Sequence, residues 1–203
     1  MSRKAVVIGL DGAAWHLLDP MIEAGVMPRL GALKGRGATG TLTSTVPTYT
    51  PPAWTSAVTG VNPGRHGVYG FIEGNAQSER QELMHSGKIK APTLWEVAND
   101  QGVRTGIYNL PLTYPPRPLG GWMVSGMMTP GYGETQRDFV YPAELQPAIL
   151  ERAPGYVLDV HANYETDWRD EDLAKRALAS IQQRYDVLEG LLDLHPVDVL
   201  FTV

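Results

Sequence analysis

Short strand-like runs alternate along this chain with longer segments in which apolar side chains recur every three or four positions. The runs lie at residues 5–8, 103–110 and 196–203, and their length and β-branched content are typical of strands in a sheet core. The longest periodic segment, residues 170–194, predicts a helix directly before the last run. Strands that alternate with helices in this way predict an α/β fold with a mostly parallel sheet.

Capping residues mark several helix boundaries. A helix is predicted to start at Pro51 or Pro52 and to run to about Thr59, because proline favours the first turn and Gly60 suits a C-terminal cap. The run Thr-Leu-Trp-Glu at residues 93–96 is a capping-box pattern. A Thr-rich stretch at residues 38–45 predicts another strand. The buried stripe of the longest helix is expected to consist of Leu173, Ala177, Ile181, Tyr185, Leu188 and Leu192.

The chain is long enough for one domain with a substantial core. We predict a single α/β domain over residues 1–203, with loop-rich insertions at about 72–90 and 113–165. The first insertion is polar without a clear period, and much of the second is rich in glycine, proline and methionine. No internal repeat interrupts this organisation.

Composition narrows the classes of function. A net charge of −5 gives no electrostatic case for a nucleic-acid polymer or an anionic membrane. The absence of cysteine excludes disulfides and thiolate zinc sites. No apolar run reaches the roughly 20 residues of a membrane span. These observations favour a cytoplasmic protein; its oligomeric state is not predicted.

Two residues carry the candidate chemistry. Asp11 follows the first strand, at the sheet edge where open α/β folds bind their ligands. Thr50 opens the helix that begins at Pro51 or Pro52, where the positive end of the helix dipole favours an anion. A divalent metal held by both side chains would lower the hydroxyl pKa and make it a nucleophile toward phosphorus. The alternatives are an ordinary Asp-Gly turn and an ordinary helix N-cap.

The segment from residue 47 to residue 68 reads PTYTPPAWTSAVTGVNPGRHGV. It resembles the nucleophile segment of the alkaline phosphatase superfamily, in the type I phosphodiesterase/nucleotide pyrophosphatase branch. That branch carries Pro-Thr-x-Thr-x-Pro, then Thr-Gly, then Pro-x-x-His-Gly. The strand that ends in Asp11-Gly12 fits as well, and residues 109–116, NLPLTYPP, look like a segment common in bacterial and archaeal members.

The resemblance implies an alkaline phosphatase-like three-layer sandwich with a mostly parallel central sheet. It implies that Thr50 is the catalytic nucleophile and that Asp11 and Thr50 bind one of two divalent metals. Zinc is the expected metal and manganese the alternative. His66 belongs to the His-Gly motif, where it helps to shape the turn after the nucleophile helix. Substrate-binding residues are not assigned, because Pro51 and Phe71 replace an aromatic residue and an asparagine of well-known members.

The function expected from these features is metal-dependent hydrolysis of a small phosphate ester, of the phosphodiesterase or nucleotide pyrophosphatase type. The alternatives are a phosphotransferase or mutase of the same superfamily and a non-catalytic binding module. Because the family takes further Asp and His ligands from later in the sequence, we expect the remaining ligands beyond Val203. The chain is thus expected to be the N-terminal part of a larger catalytic domain, incomplete at its C-terminus and inactive alone.

Overall fold

The computed structural model describes residues 5–73, 81–131, 138–160 and 171–203. Within these ranges the strands are β1 (Ala5–Ile8), β2 (Ile72–Glu73), β3 (Glu82–Leu83), β4 (Thr105–Tyr108), β5 (Trp122–Val124), β6 (Val140–Tyr141) and β7 (Val199–Thr202). The α-helices are α1 (Trp15–Glu23), α2 (Pro28–Arg36), α3 (Thr50–Thr59), α4 (Pro63–His66), α5 (Leu94–Asp100), α6 (Gln146–Arg152) and α7 (Glu171–Leu194). Short 3₁₀ turns lie at Ser86–Lys88 and Ala143–Leu145.

Five of the strands form one sheet in the order β1-β7-β4-β5-β6. The first four are parallel, and β6 pairs antiparallel with β5. The last residues of β1, β7 and β4 are in register, with Ile8 opposite Thr202 and Thr202 opposite Tyr108. The segments that follow these strands therefore emerge at one edge of the sheet, where a ligand site is expected. The predicted α/β fold with a mostly parallel sheet is confirmed.

Helices cover both faces of the sheet. Side chains alternate between faces along a strand, and the neighbours Leu200 and Phe201 accordingly belong to different apolar clusters. Leu200 lies in the cluster that includes residues of α6 and α7, such as Val187. Phe201 lies in the cluster that includes residues of α3 and α5, such as Trp95. The structure thus has the three layers of the predicted sandwich.

The first strand is less buried than its sequence suggests. All four of its residues are exposed, with Val6 49% and Ile8 66% accessible. The expectation that the strand before Asp11 lies in the core of the sheet is therefore wrong. The strand is exposed because β1 lies at the end of the sheet and has a neighbouring strand on one side only. The helices α1 and α2, which follow it, have no buried residues and so do not cover it closely.

The capping box is confirmed, since Glu96 accepts hydrogen bonds from both the backbone N–H and the hydroxyl of Thr93. The strand predicted over residues 38–45 is wrong. That stretch has no regular secondary structure, and Leu42 is 92% exposed. Threonine favours strands only where a neighbouring strand gives its side chain a surface to pack on.

The buried stripe predicted for α7 is wrong at Ile181 and Tyr185, which are each 59% exposed. The face that packs inward includes Ser180, which is buried, and Arg184, which donates to the carbonyl oxygen of Leu158 at 2.6 Å. Val187 and Leu191 continue this face. At residues 180 and 184 the face is polar, because these side chains bond carbonyl groups of residues 157 and 158, so the apolar pattern does not reveal it there.

The predicted insertions at 72–90 and 113–165 are described only in part, since residues 74–80, 132–137 and 161–165 lie outside the described ranges. In the first insertion, β2 and β3 pair antiparallel. The division into one domain with two insertions stays a prediction. No helix in the described part of the chain is long and apolar enough to cross a membrane.

Candidate active site

The side chains of Asp11 and Thr50 meet beyond the C-terminal end of β1. The Thr50 hydroxyl donates a hydrogen bond to the Asp11 carboxylate, with Oγ1 and Oδ2 separated by 3.0 Å. Asp11 is exposed and Thr50 is half-buried, so the pair faces solvent. Residues 39 positions apart in the sequence are brought together here by the sheet edge and by the start of α3.

A tight turn presents the Asp11 carboxylate. Gly12 has a φ of 67°, in the left-handed region that glycine enters without steric cost. The Ala14 N–H donates to the Gly12 carbonyl at 3.0 Å, and α1 begins at Trp15. The turn predicted by Asp-Gly is therefore present, and its aspartate faces the neighbouring helix start.

The start of α3 presents the Thr50 hydroxyl. Tyr49 is the N-cap residue, in an extended conformation, and Thr50 is the first helical residue. No side chain caps this helix, so the Thr50 hydroxyl is not used as an N-cap. The helix ends at Gly60, which has a φ of 67°.

The start of α3 offers an anion fewer donors than predicted. Pro51 and Pro52 have no N–H, and the Ala53 N–H donates to the Tyr49 carbonyl at 3.1 Å. Of the four N–H groups that a helix start leaves outside its own hydrogen bonds, only those of Tyr49 and Thr50 therefore remain. Backbone groups of this helix contribute correspondingly little to binding an anion.

The two side chains form a hard oxygen donor set. Oxygen ligands of a tetrahedral zinc ion, each about 2.0–2.2 Å from the metal, lie about 3.3–3.6 Å from one another. The two oxygens are 3.0 Å apart as hydrogen-bond partners, so they need to separate only slightly for both to bind one metal. Within the described ranges, no group of three or more His, Cys, Asp or Glu side chains is placed to hold a metal. Asp11 and Thr50 thus fit part of a coordination sphere.

His66 lies near the other end of α3 and is fully buried. Its Nδ1 accepts a hydrogen bond from the Val68 N–H at 3.1 Å, so the proton of the neutral ring is on Nε2. Nε2 is 2.8 Å from the Ser56 hydroxyl oxygen and therefore donates to it. A ring in this tautomer cannot take a proton from Ser56 through Nε2, so this contact does not activate Ser56 as a nucleophile. The ring instead joins α3 to the turn after α4, as the motif implied.

Burial lowers the pKa of His66 below its ordinary value of 6.5. The histidine therefore binds a proton more readily in the unfolded chain than in the folded protein. The free energy of unfolding is expected to fall as the pH drops below about 6.5 for this reason. One group changes that free energy by at most about 1.4 kcal/mol per pH unit. His66→Asn can keep an acceptor for the Val68 N–H without titrating, and is the control. Denaturant unfolding at pH 7.5 and at pH 5 should show a smaller loss in the variant; an equal loss contradicts the prediction.

Sequence reasoning did not identify a buried polar network at the end of β4. The hydroxyls of Tyr108 and Tyr156 are 2.7 Å apart, and Tyr156 donates to Asn109 Oδ1 at 3.1 Å. Burial raises the pKa of Tyr156 to about 12 and also raises the pKa of Tyr108, so both phenols stay protonated. Asn109 has a φ of 56°, which is uncommon outside glycine. The segment NLPLTYPP, which begins with Asn109, was the only sequence signal for this network. Its partner Tyr156 comes from a loop far along the chain, so the sequence could not pair the two residues.

Comparison with known proteins identifies the family of this chain. A sequence model of the type I phosphodiesterase / nucleotide pyrophosphatase family matches residues 5–199. Two solved structures of phosphonoacetate hydrolase from Sinorhizobium meliloti 1021 have a similar fold. The complex with phosphonoacetate has a TM-score of 0.60 at 23% identity, and the complex with phosphonoformate has a TM-score of 0.62 at 24% identity.

Each match covers 98% of this chain and 45% of the hydrolase chain. This chain therefore spans a little under half the length of these structural neighbours. The likeness confirms the predicted alkaline phosphatase-like α/β fold. With a family match over nearly all of its length, the chain belongs to the type I phosphodiesterase / nucleotide pyrophosphatase family.

Proposed function

We propose that this chain carries the nucleophile and the first metal ligand of a metal-dependent phosphoric ester hydrolase. Thr50 is the proposed nucleophile, and Asp11 and Thr50 are the proposed ligands of one divalent metal. The observation that carries the proposal is the 3.0 Å contact between Thr50 Oγ1 and Asp11 Oδ2 at the C-terminal edge of the sheet. Membership of the phosphodiesterase family supports the reaction class.

The hydrogen bond gives the Thr50 hydroxyl a defined direction. With Asp11 as acceptor, the O–H bond points toward the carboxylate, and the oxygen lone pairs are left for an incoming phosphorus atom. A bound divalent metal would replace this proton, lower the hydroxyl pKa and stabilise charge on the attacking and leaving oxygens. We propose zinc, with manganese as the alternative, and a second metal held by further ligands of the protein.

The proposed reaction has two steps. Thr50 Oγ1 attacks phosphorus and gives up its proton to solvent, the ester P–O bond breaks, and the departing alkoxide takes up a proton from solvent and leaves as the alcohol. Water then attacks the phosphothreonine, the P–O bond to Thr50 breaks, and the proton lost by the attacking water restores the threonine hydroxyl as phosphate departs. Asp11 keeps the Thr50 oxygen in place, as the attacking atom in the first step and as the leaving atom in the second, since its carboxylate lies within hydrogen-bond distance of that oxygen.

The proposed substrate is a small phosphate ester. The solved structures with this fold hold phosphonoacetate and phosphonoformate, which are small anions, and the exposed Asp11–Thr50 pair is open to such a molecule. A nucleotide preference is not proposed, because Pro51 stands where well-known nucleotide pyrophosphatases carry an aromatic residue. A cytoplasmic location stays a prediction from composition.

Two alternatives make different predictions. A mutase would transfer the phosphoryl group to a second hydroxyl, but the related mutases use serine, and the candidate nucleophile here is threonine. A non-catalytic binding module would bind no metal. The lack of a three-ligand group in the described residues does not separate the module from the enzyme, because the remaining ligands of the enzyme are expected elsewhere in the protein. Metal content therefore separates the enzyme from the module.

The experiment compares the 203-residue chain with the gene product at its natural full length. Both are assayed on bis(p-nitrophenyl) phosphate and p-nitrophenyl phosphate with zinc or manganese, and their metal content is measured. We expect two bound metals and turnover in the full-length protein, but little or no turnover in the 203-residue chain, since two oxygens do not complete a two-metal site. Robust turnover by the 203-residue chain contradicts the predicted inactivity. A full-length protein without metal or turnover contradicts the proposed function.

A further inference from the structure

We propose that the contact between Gly9 and Trp54 sets the spacing of the Asp11–Thr50 pair. Gly9 and Trp54 are therefore positioning residues of the site. This inference rests on the proposed function. Gly9 lies two residues before Asp11, at the end of β1, and Trp54 lies one helical turn after Thr50 on α3. The contact therefore joins the two elements that carry the proposed functional side chains.

The contact leaves no room for a side chain at residue 9. A Cβ atom built on Gly9 would lie 2.3 Å from Trp54 Cη2 and 2.8 Å from Trp54 Cζ3. It would also lie 3.0 Å from Val203 Cγ2. Real Cβ atoms essentially never come within 3.0 Å of another heavy atom, so the indole ring rests directly on the Gly9 backbone.

Each partner is also held by a second contact. The Gly9 N–H donates to the Thr202 carbonyl at 2.7 Å, which holds the end of β1 against β7. The Trp54 ring packs edge-on against Phe201, with the ring centroids 6.5 Å apart and an interplanar angle of 75°. A methyl group at residue 9 would therefore press on the half-buried Trp54 ring, and we infer that part of the resulting displacement passes to the first turn of α3. Misplacing a reacting group by about 1 Å can lower a rate by about 100-fold.

Gly9 and Gly12, on either side of Asp11, are required to be glycine for different reasons. Gly12 has a φ of 67° and nothing within 4 Å of a built Cβ, so its glycine serves the turn. Gly9 is not among the residues with positive φ, so alanine can adopt its backbone conformation. The expected effect of Gly9→Ala is therefore steric, and a smaller ring at residue 54 should relieve it.

The test uses Gly9→Ala, Trp54→Phe and the double variant, made in the gene product at its natural full length. Phenylalanine lacks the two indole atoms that a Cβ at residue 9 would meet. Gly35→Ala is the matched control, because Gly35 lies in helix α2 with nothing within 4 Å of a built Cβ. The measurements are kcat and KM, thermal unfolding, and the Oγ1–Oδ2 distance in crystal structures of the variants.

We expect Gly9→Ala to lower kcat by at least tenfold with little change in KM, and to lengthen the Oγ1–Oδ2 distance beyond 3.5 Å. Gly35→Ala should leave both unchanged. The double variant should recover the kcat and the distance of Trp54→Phe. An unchanged distance in Gly9→Ala, or a loss that Trp54→Phe does not relieve, overturns the inference. If Gly9→Ala does not fold, the double variant decides: recovery supports the contact, and a second failure to fold overturns it.

Failure of the proposed function has a different outcome. In that case Thr50→Ala keeps its turnover, or the wild-type protein has none. The oxygen–oxygen distances in the variants still test the Gly9–Trp54 contact, because that measurement does not depend on activity.

Discussion

Replacing Thr50 with alanine is expected to abolish turnover and to leave folding nearly intact. The hydroxyl is the proposed nucleophile, and its removal eliminates the covalent route. Its described contact is one hydrogen bond to Asp11 at a solvent-facing site, and a bond of this kind contributes about 0.5–1.5 kcal/mol to stability. Steady-state turnover and denaturant unfolding of the full-length protein measure the two effects separately.

Thr50→Ser should keep measurable turnover, because a hydroxyl remains at the start of α3. The controls are Thr48→Ala, Thr55→Ala and Ser56→Ala, which remove neighbouring hydroxyls. Ser56 is the informative one, since its hydroxyl also contacts a histidine, although that ring donates to Ser56 and does not activate it. If Ser56→Ala abolishes turnover while Thr50→Ala retains it, the nucleophile has been assigned to the wrong residue.

Asp11→Asn is expected to have the second large effect, a loss of metal affinity together with turnover. Asparagine keeps an oxygen that accepts from Thr50 and tolerates the same turn, but it removes the negative charge that holds a cation. Loss of a residue that merely supports a metal ligand typically costs 10–100-fold, so loss of the ligand charge itself should lower turnover by at least about 100-fold. Metal titration and turnover of the full-length variant measure both effects.

The control for that change is Asp100→Asn, which alters the net charge equally. Asp100 is exposed at the end of α5, away from the candidate site. It should leave metal affinity and turnover unchanged. An Asp11→Asn protein that retains the metal content and turnover of the wild type excludes Asp11 as a ligand.

The sequence determines much of this fold through local signals. Thr93 and Glu96 form the predicted capping box, and Gly60 ends α3 as its conformational freedom allows. The Asp11–Thr50 pair was also predictable, because one residue follows a parallel strand and the other starts a helix at the same edge. The family resemblance rests on the ordered motifs of residues 47–68, and the family match confirms it.

The remaining features depend on contacts that no local pattern contains. Leu42 lies in a Thr-rich stretch, but no strand forms there, since strand formation requires a partner. Arg184 lies on the inward face of α7 because a distant loop offers carbonyl groups to it. Trp54 rests on Gly9, a close approach that depends on how the helix packs on the sheet.

One feature that we did not predict was nevertheless contained in the local sequence. Pro51 and Pro52 have no N–H, so the reduced number of donors at the start of α3 could have been predicted.

The central claim is that Thr50 forms a covalent bond to phosphorus during turnover. The most direct test is an acid quench of the full-length protein during turnover of an activated phosphate ester, followed by proteolysis and mass spectrometry. We predict a phosphorylated peptide that contains Thr50, with fragment ions that place the phosphate on that residue, and no such peptide from Thr50→Ala. Turnover without a phosphopeptide after rapid quench, or with the phosphate on another residue, would contradict the account.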